Sequence, residues 1–356
     1  MTEDTRPMAS KNSDVPPDVA PRNQPPAEPE VGVAQIKSDN VLEYAQLLRP
    51  WDVQIEQLSP GPFGGRLGAV KTPSMLLYSE RWPRRTQVRG SNPPGYVLIG
   101  AHMAWQRSPL TWCSMDLGPR TLGCAAPDSE IGFTAPCDSH HAVVLVTPEF
   151  LEQGLGRQGV DRLSSSWGLQ MSDRVGLDFG QHIVRVVRRA LESPEALSRP
   201  LEIRSIESDL MDMLIRCLGA EAADSPPIGL SSRVRALEAA LEHARSCRGR
   251  TTAHELSIAA GVSQRTLERV FRKRLGITPG VFLRLKRLNG AHQELLASDP
   301  RMTTVGRVAT DWGFRHQGRF SVLHRRVLGE SPSRTLRRSR PSSCGSLSDL
   351  FSLAAG

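Results

Sequence analysis

Aromatic residues are scarce, 5% of 356 positions, and apolar residues of all kinds reach only 39%. That is thin for one large core and enough for two modest ones, so the length reads as two domains plus tails. Long apolar runs are missing too. Runs such as "AVVLV" at 142–146 fall far short of the ~20 residues a membrane span needs, so no membrane partner is expected. None of the six cysteines (Cys113, Cys124, Cys137, Cys217, Cys247 and Cys344) stands in a C-x-x-C pair, and the opening "MTEDTRP" lacks the pattern of a secretory signal. The expectation is free thiols in a reducing cytoplasm. Cys137, His140 and His141 lie close in sequence, but three such residues at one strand end rarely close a coordination sphere alone. Neither a metal nor another cofactor is expected.

Proline is abundant in one place. Residues 1–40 hold seven prolines and no aromatic residue, a composition that favours disorder. The segment from Ser339 onward, 339–356, is rich in serine and small residues and reads as a second flexible tail, within which "SLSDLF" can form a short docking helix. Charge is also unevenly placed. Residues 229–340 carry 23 Lys and Arg against 8 Asp and Glu, a net of +15 in a chain whose total is +8, which leaves −7 for the rest. A positive module joined to a mildly acidic one points to a polyanion for one domain only, nucleic acid before an anionic membrane surface.

Between the tails the pattern changes once. Residues 52–146 contain "RLGAVKTPSMLLYSERW", "GYVLIGAHMAW", "LTWCSMDLG" and "AVVLVTP". Apolar and polar residues alternate there, with Gly and Pro breaks at short intervals, as in a β-sandwich or small barrel. "VLEYAQLLRPW" reads as a short helix leading in. Further on, Phe179, Ile183, Val186, Val187 and Leu191, then Ile203, Ile206, Leu210 and Leu214, have helical spacing. The two helices form a candidate hairpin, packed on the β-domain or on a second copy of the chain. "GAEAADSPPIG" at 219–229 has linker composition. The expected organisation is thus a disordered tail at 1–40, a β-rich sensor or dimerisation domain with a helical hairpin at 41–218, a linker at 219–229, an all-helical domain at 230–338 and a flexible end. The fold class is α+β, multidomain.

The helical domain contains a repeat. "GVSQRTLERVFRKRLGITP" from Gly261 returns in weaker form as "GFRHQGRFSVLHRRVLGESP" from Gly313, and Leu275-Gly276…Pro279 matches Leu328-Gly329…Pro332 at an offset of 53. In the first copy, Thr252 and Glu255 have capping-box spacing, Gly261 stops the helix and Ser263 caps the next. Leu267, Val270 and Phe271 share the buried face of that next helix, and Arg265, Glu268, Arg269 and Arg272 the opposite one. In the second copy, Val305, Val308, Ala309 and Trp312 are expected inside, followed by Phe320, Leu323 and Val327. Gln317, Ser321 and Arg325 are expected outside. Arg315 occupies a position better suited to a capping Ser, and Gly306 and Gly318 weaken the helices. Each copy is a helix-turn-helix. Between them, Thr278 caps and Pro279 starts a helix ended by Asp299-Pro300, with Val281, Leu285, Leu288, Ala291 and Leu295 as its apolar stripe. From Pro279 to Ala297 it spans roughly 28 Å at ~1.5 Å per residue, near the ~34 Å between successive major-groove faces of B-DNA.

Over residues 233–338, "ELSIAAGVSQRTLERVFRKRLGITPGVFLRLKRLNGAHQELL" and "VATDWGFRHQGRFSVLHRRVLGESPSRTLRR" resemble the DNA-binding domain of the AraC/XylS family of bacterial transcription regulators. The resemblance implies a sequence-specific regulator of transcription, an activator, that binds double-stranded promoter DNA and works with RNA polymerase, associating with the nucleoid when bound. It implies base contacts from Arg265, Glu268 and Arg269 in the first unit, and from Gln317, Ser321 and, less directly, Val322 in the second. Arg265 and Arg269 suit guanine O6/N7, and Glu268 suits cytosine N4. Arg272, Lys273, Arg325, Arg326, Arg334, Arg337 and Arg338 suit phosphates, which position without specifying. The β-rich region resembles, more weakly, the family's cupin-like sensor barrels, whose helical pair dimerises. That implies a small-molecule effector and a homodimer through residues 174–218. Two other classes remain open at this point: a DNA-targeted enzyme such as a Cys-dependent repair alkyltransferase, and a nonspecific DNA-coating protein. Cys137 follows Pro136 as a reactive Cys does in such enzymes, but Asp138 and Ser139 stand where those carry His and Arg. No catalytic constellation stands out, so no enzyme activity is expected.

Overall fold

The computed structural model describes residues 31–49, 51–104, 110–113, 115–118, 120–165, 168–170, 175–219 and 232–338, together with Leu347 and Leu350. Most of the expected linker, 220–229, lies outside these residues.

The first region is built on two antiparallel sheets. The strands are β1 (Gly32–Ser38), β2 (Asp52–Gln57), β3 (Gly65–Lys71), β4 (Met75–Trp82), β5 (Thr86–Ser91), β6 (Val97–His102), β7 (Leu110–Trp112), β8 (Met115–Leu117), β9 (Thr121–Ala125), β10 (Glu130–Ala135), β11 (Ser139–Val146) and β12 (Gly168–Gln170). One sheet has the order β1-β3-β4-β11-β6-β9-β12, and the other β2-β5-β10-β7-β8. Helix α1 (Val41–Leu47) is the expected lead-in helix. Strand β1 corrects the expectation that disorder extends to residue 40. "VAQIK" follows the proline-rich stretch and pairs along its length with β3, from Gly32 opposite Lys71 to Ser38 opposite Gly65. The composition of forty residues hid seven that do pair.

The larger sheet is covered on both faces, and this explains why its central strands read as apolar runs. In β4, Met75 and Leu77 face one core, whereas Leu76 and Tyr78 face the other. In β11, Ala142, Val144 and Val146 alternate with Val143 and Leu145 in the same way. One core lies between the two sheets. The other lies between the large sheet and helices α2 (Pro148–Ser165), α3 (Val175–Glu192) and α4 (Pro200–Gly219). The expected hairpin is the α3–α4 pair. It packs on the β-domain through Phe179, Ile183 and Val187 of α3 and Leu210 and Leu214 of α4, all buried.

The second region is all helical: α5 (Ser232–Ser246), α6 (Ala253–Ala259), α7 (Gln264–Leu275), α8 (Pro279–Ala297), α9 (Val305–Asp311), α10 (Gln317–Leu328) and α11 (Pro332–Arg337). The apolar stripe of α8 is shifted from the expected one. Phe282 is buried and Val281 is exposed, while Leu285, Leu288, Ala291 and Leu295 are inside as expected. The first turn of the helix faces α7, where Phe271 and Phe282 meet edge to face at 5.5 Å.

The inter-sheet core continues into the helical domain as one cluster, and polar contacts fasten the seam. Asn289 on α8 pairs with the backbone of Gln57 in both directions: its Oδ1 accepts from Gln57 N at 3.0 Å and its Nδ2 donates to Gln57 O at 3.0 Å. It thus extends the edge strand β2 as another strand would. Asn40 caps α1, its Oδ1 accepting from the amides of Leu42 and Glu43. The same side chain reaches across the seam, where Nδ2 lies 3.2 Å from both His292 Nε2 and Glu330 Oε1. His292 Nδ1 lies 3.2 Å from His324 Nε2, and His324 Nδ1 lies 2.8 Å from Glu330 O. One proton arrangement satisfies the whole chain. Asn40 donates to His292 Nε2, His292 Nδ1–H donates to His324 Nε2, and His324 Nδ1–H donates to the Glu330 carbonyl. Both imidazoles are then neutral. Burial favours this state, lowering His292 to about 3, with His324 and Arg338 adding repulsion. Burial also lowers His324.

Candidate nucleic-acid interface and barrel cavity

Each helix-turn-helix unit is assembled by the same local devices. Thr252 caps α6 in a reciprocal capping box with Glu255, and Thr304 caps α9 through the amide of Arg307. The turns hinge on Gly261 (φ 63) and Gly313 (φ 76), a left-handed backbone that a Cβ disfavours. The amide after each turns back into the preceding helix, Val262 N to Ser257 O and Phe314 N to Ala309 O. Helices α7 and α10 are both 12 residues long and end on left-handed Gly276 and Gly329. Thr278 and Ser331 then cap the next helices, each with Pro in the first turn. Elements 52–53 residues apart in sequence therefore repeat in structure as well as in pattern.

The candidate base readers of α7 are presented outward. Arg265, Glu268 and Arg269 are exposed, while Leu267, Val270 and Phe271 are buried against the domain. Ser263 accepts from Thr266 N and caps the helix. On α10, Gln317 is exposed and Ser321 half-buried. Val322 is 69% exposed, which offers an apolar surface where a polar reader would hydrogen-bond. The N-cap of α10 is His316, with no side-chain cap bond. Leu323, Val305 and Trp312 are half-buried where full burial was expected. The fully buried position on α10 that the sequence reading missed is His324. Its apolar-face spacing was a signal, one turn after Phe320, but its partners lie in other elements.

Among the candidate phosphate contacts, Arg272, Lys273, Arg325, Arg326, Arg334 and Arg337 are exposed. Arg334 Nε is 3.8 Å from Glu330 Oε2. Arg338 differs: it is half-buried and lies 3.6 Å from Glu330 and 3.9 Å from Glu43. Its guanidinium serves the seam between the domains in this conformation rather than the outer surface. Arg274 pairs with Asp116, and Arg85 donates to Leu275 O, so the end of α7 touches the β-domain while its beginning stays clear.

Between the two sheets lies an apolar cavity of about 70 Å³, walled by Trp51, Tyr78, Trp82, Trp112 and Phe133 among others. Its polar residues include Glu80 and His141. Glu80 accepts from Tyr44 Oη at 2.7 Å and from His141 Nδ1 at 3.4 Å. Burial and the Glu80 carboxylate push the Tyr44 hydroxyl up, which keeps it a donor. His141 Nε2 is buried with no protein partner. His140, its neighbour on β11, points away and bonds Ser79 Oγ at 2.9 Å, and Cys137 is exposed with its Sγ 3.7 Å from Ser59 Oγ. The strand's alternation thus separates the Cys-His-His group. Among the described residues no His, Cys, Asp or Glu cluster could hold a metal, and no described helix is long and apolar enough to cross a membrane.

Two helix-turn-helix units on a shared helical frame define a DNA-binding domain. A helix-turn-helix domain model matches residues 256–338. The chain is similar to a probable thc operon regulatory protein of Rhodococcus erythropolis, 32% identical over 190 residues that cover 51% of this chain and 55% of the relative. It is also similar to XylDLEGF operon transcriptional activator 1 of Pseudomonas putida, 37% identical over 83 residues, 23% of this chain and 25% of that one. Among solved structures, the AraC-like transcriptional activator CuxR shares 17% identity at a TM-score of 0.38, covering 74% of this chain and 96% of its own. The chain spans about half the length of the first relative and a quarter of the second. The carboxy-terminal domain is a helix-turn-helix domain of the AraC/XylS type.

Proposed function

We propose that this chain is a sequence-specific transcription regulator, an activator, that reads two adjacent major grooves with α7 and α10. The observation that carries the reading is the duplicated, capped unit with the candidate readers of α7 and Gln317 of α10 all exposed. Arg265 and Arg269 take guanine edges, Glu268 takes cytosine, and Gln317 and Ser321 read the second groove. The exposed arginines and Lys273 set the register on the phosphates. The β-domain modulates binding through a small-molecule effector held in its cavity, and RNA polymerase is the partner at the promoter. Homodimerisation through residues 174–218 is supported by Leu201 and Ile215, exposed at 79% and 42% on α4. They sit about four turns apart and so on nearly one face.

The test is selection of duplexes from a random pool by the full chain, followed by affinity measurement across a salt series. The expected result is a selected site bound at least ~10³-fold more tightly than scrambled DNA, with log affinity falling linearly in log salt. Equal affinity for all sequences would reduce the protein to a backbone binder.

A further inference from the structure

One residue lining the inter-sheet cavity comes from the far end of the chain. Leu347 is fully buried and lines the cavity, although the sequence places it beyond the DNA-binding domain. Leu350 is 5% exposed, and its Cδ2 lies 2.7 Å from where a Cβ on Gly32 would stand. Both residues have helical backbone. Leu347 reaches the space between the sheets, and Leu350 covers the start of the edge strand β1. Of the "SLSDLF" segment, Leu347 and Leu350 lie among the described residues, and Leu347 lines the candidate effector site.

The size of the cavity decides what this means. About 70 Å³ is open with Leu347 in place, whereas a cavity that holds one benzene measures about 150 Å³. A ring-sized molecule therefore needs more space than the closed form provides, and Leu347 is a lining residue that lies on a chain end rather than in a sheet. What remains inside is chemically specific. The walls are aromatic, His141 offers one unpartnered ring nitrogen, and its other nitrogen is held by Glu80. With Nδ1 held by the carboxylate, the Nε2 of His141 is the ring atom left for a polar group of a ligand.

We propose that Leu347 and Leu350 form an intramolecular plug of the inter-sheet cavity, displaced by a small, flat, mostly apolar ligand that makes one hydrogen bond with His141 Nε2. This rests on the reading of the cavity as the effector site and adds its competitor and its ligand chemistry. The plug is attached to the DNA-binding domain just after α11, where Arg338 approaches Glu43 and Glu330. A ligand that expels Leu347 therefore removes one of the ties between the two domains.

The experiment uses 2-naphthol as probe and naphthalene as its counterpart without the hydroxyl. Binding to the full chain, to a chain ending at Ser346 and to Leu347→Ala is followed by calorimetry and tryptophan fluorescence. Truncation is expected to tighten 2-naphthol binding at least tenfold, with Leu347→Ala between the two. A synthetic peptide of residues 339–356 is expected to displace the probe from the truncated chain. His141→Phe should weaken 2-naphthol about tenfold and leave naphthalene unchanged. Equal affinity for the full and truncated chains, failure of the peptide to compete, or no binding by any form overturns the proposal. If the truncated chain does not fold, Leu347→Ala decides it alone. Affinity for the selected duplex is measured in parallel. Loss of specific DNA binding by the full chain refutes the regulator reading, whereas specific DNA binding without the probe effect refutes the plug.

Discussion

The two helix-turn-helix units share a frame and differ in what holds it. The first is locally complete. Its turn glycine is followed by a capping serine, and α7 turns Arg265, Glu268 and Arg269 outward. The second lacks the cap, carries Gly306 and Gly318, and presents Val322 on its reading helix. Both units touch the β-domain, α7 at its end through Asp116 and Arg85, and the second unit is fastened to it by buried bonds. Gln57 Nε2 donates to Val327 O at 2.6 Å, Gly61 N donates to Arg326 O at 2.9 Å, and His324 is locked into the relay from Asn40. Contacts from a different domain compensate for poor local propensity, as tertiary context commonly does. The start of α7 stays clear of the β-domain, whereas α10 is positioned by it.

The sharpest way to break this comparison is acid. His292 and His324 are neutral in the closed form, and their folded values lie below the ordinary 6.5, His292 at about 3. The unfolded chain binds more protons than the folded one in this window, so stability is complete above about pH 6.5 and is lost as pH falls towards the folded value. Each histidine held neutral costs up to about 1.4 kcal/mol per pH unit below 6.5. Thermal melts from pH 7.5 to 4.5 are expected to show a falling Tm, and His292→Gln should flatten the slope. A slope unchanged by that variant would remove the relay from the account.

Asn289→Ala comes next. It strips both backbone bonds from buried Gln57, and the expected cost is about 2–4 kcal/mol, counting two orphaned groups. Urea denaturation measures it, and a loss below about 1 kcal/mol would mean the seam is not load-sharing. Arg269→Ala is expected to cost ~1–3 kcal/mol at one base position of the site, while Arg272→Ala weakens all sequences alike and lowers the salt slope by about 0.9. Fluorescence anisotropy on single-substitution duplexes separates the two. The smallest effects test the caps. Ser263→Ala should destabilise by ~1 kcal/mol, and His316→Ser should stabilise by up to a similar amount by supplying what the second unit lacks. If His316→Ser is neutral, the docked end of α10 already fixes its start.

Much of this was legible in the sequence where the cause is local. The caps at Thr252, Ser263 and Thr278, the turn glycines and the buried face of α7 follow from side chains within a few positions of one another, and the structure places them as read. What the sequence hid depends on distant partners. The burial of His324 and Asn40 rests on contacts 32 and 252 residues away. The removal of Arg338 from the outer surface needs Glu43, and β1 needs β3 to be a strand at all. Of the site, the outward set on α7 was visible from periodicity, whereas the half-burial of Ser321 depends on packing that periodicity does not report.

Hydroxyl-radical footprinting on the selected duplex tests the central claim most directly. The expected pattern is two protected segments per chain on one face of the DNA, centred about one helical turn apart, with Arg269→Ala clearing only the segment read by α7. A single protected segment, or two on opposite faces, would contradict a chain that reads adjacent grooves with twin units.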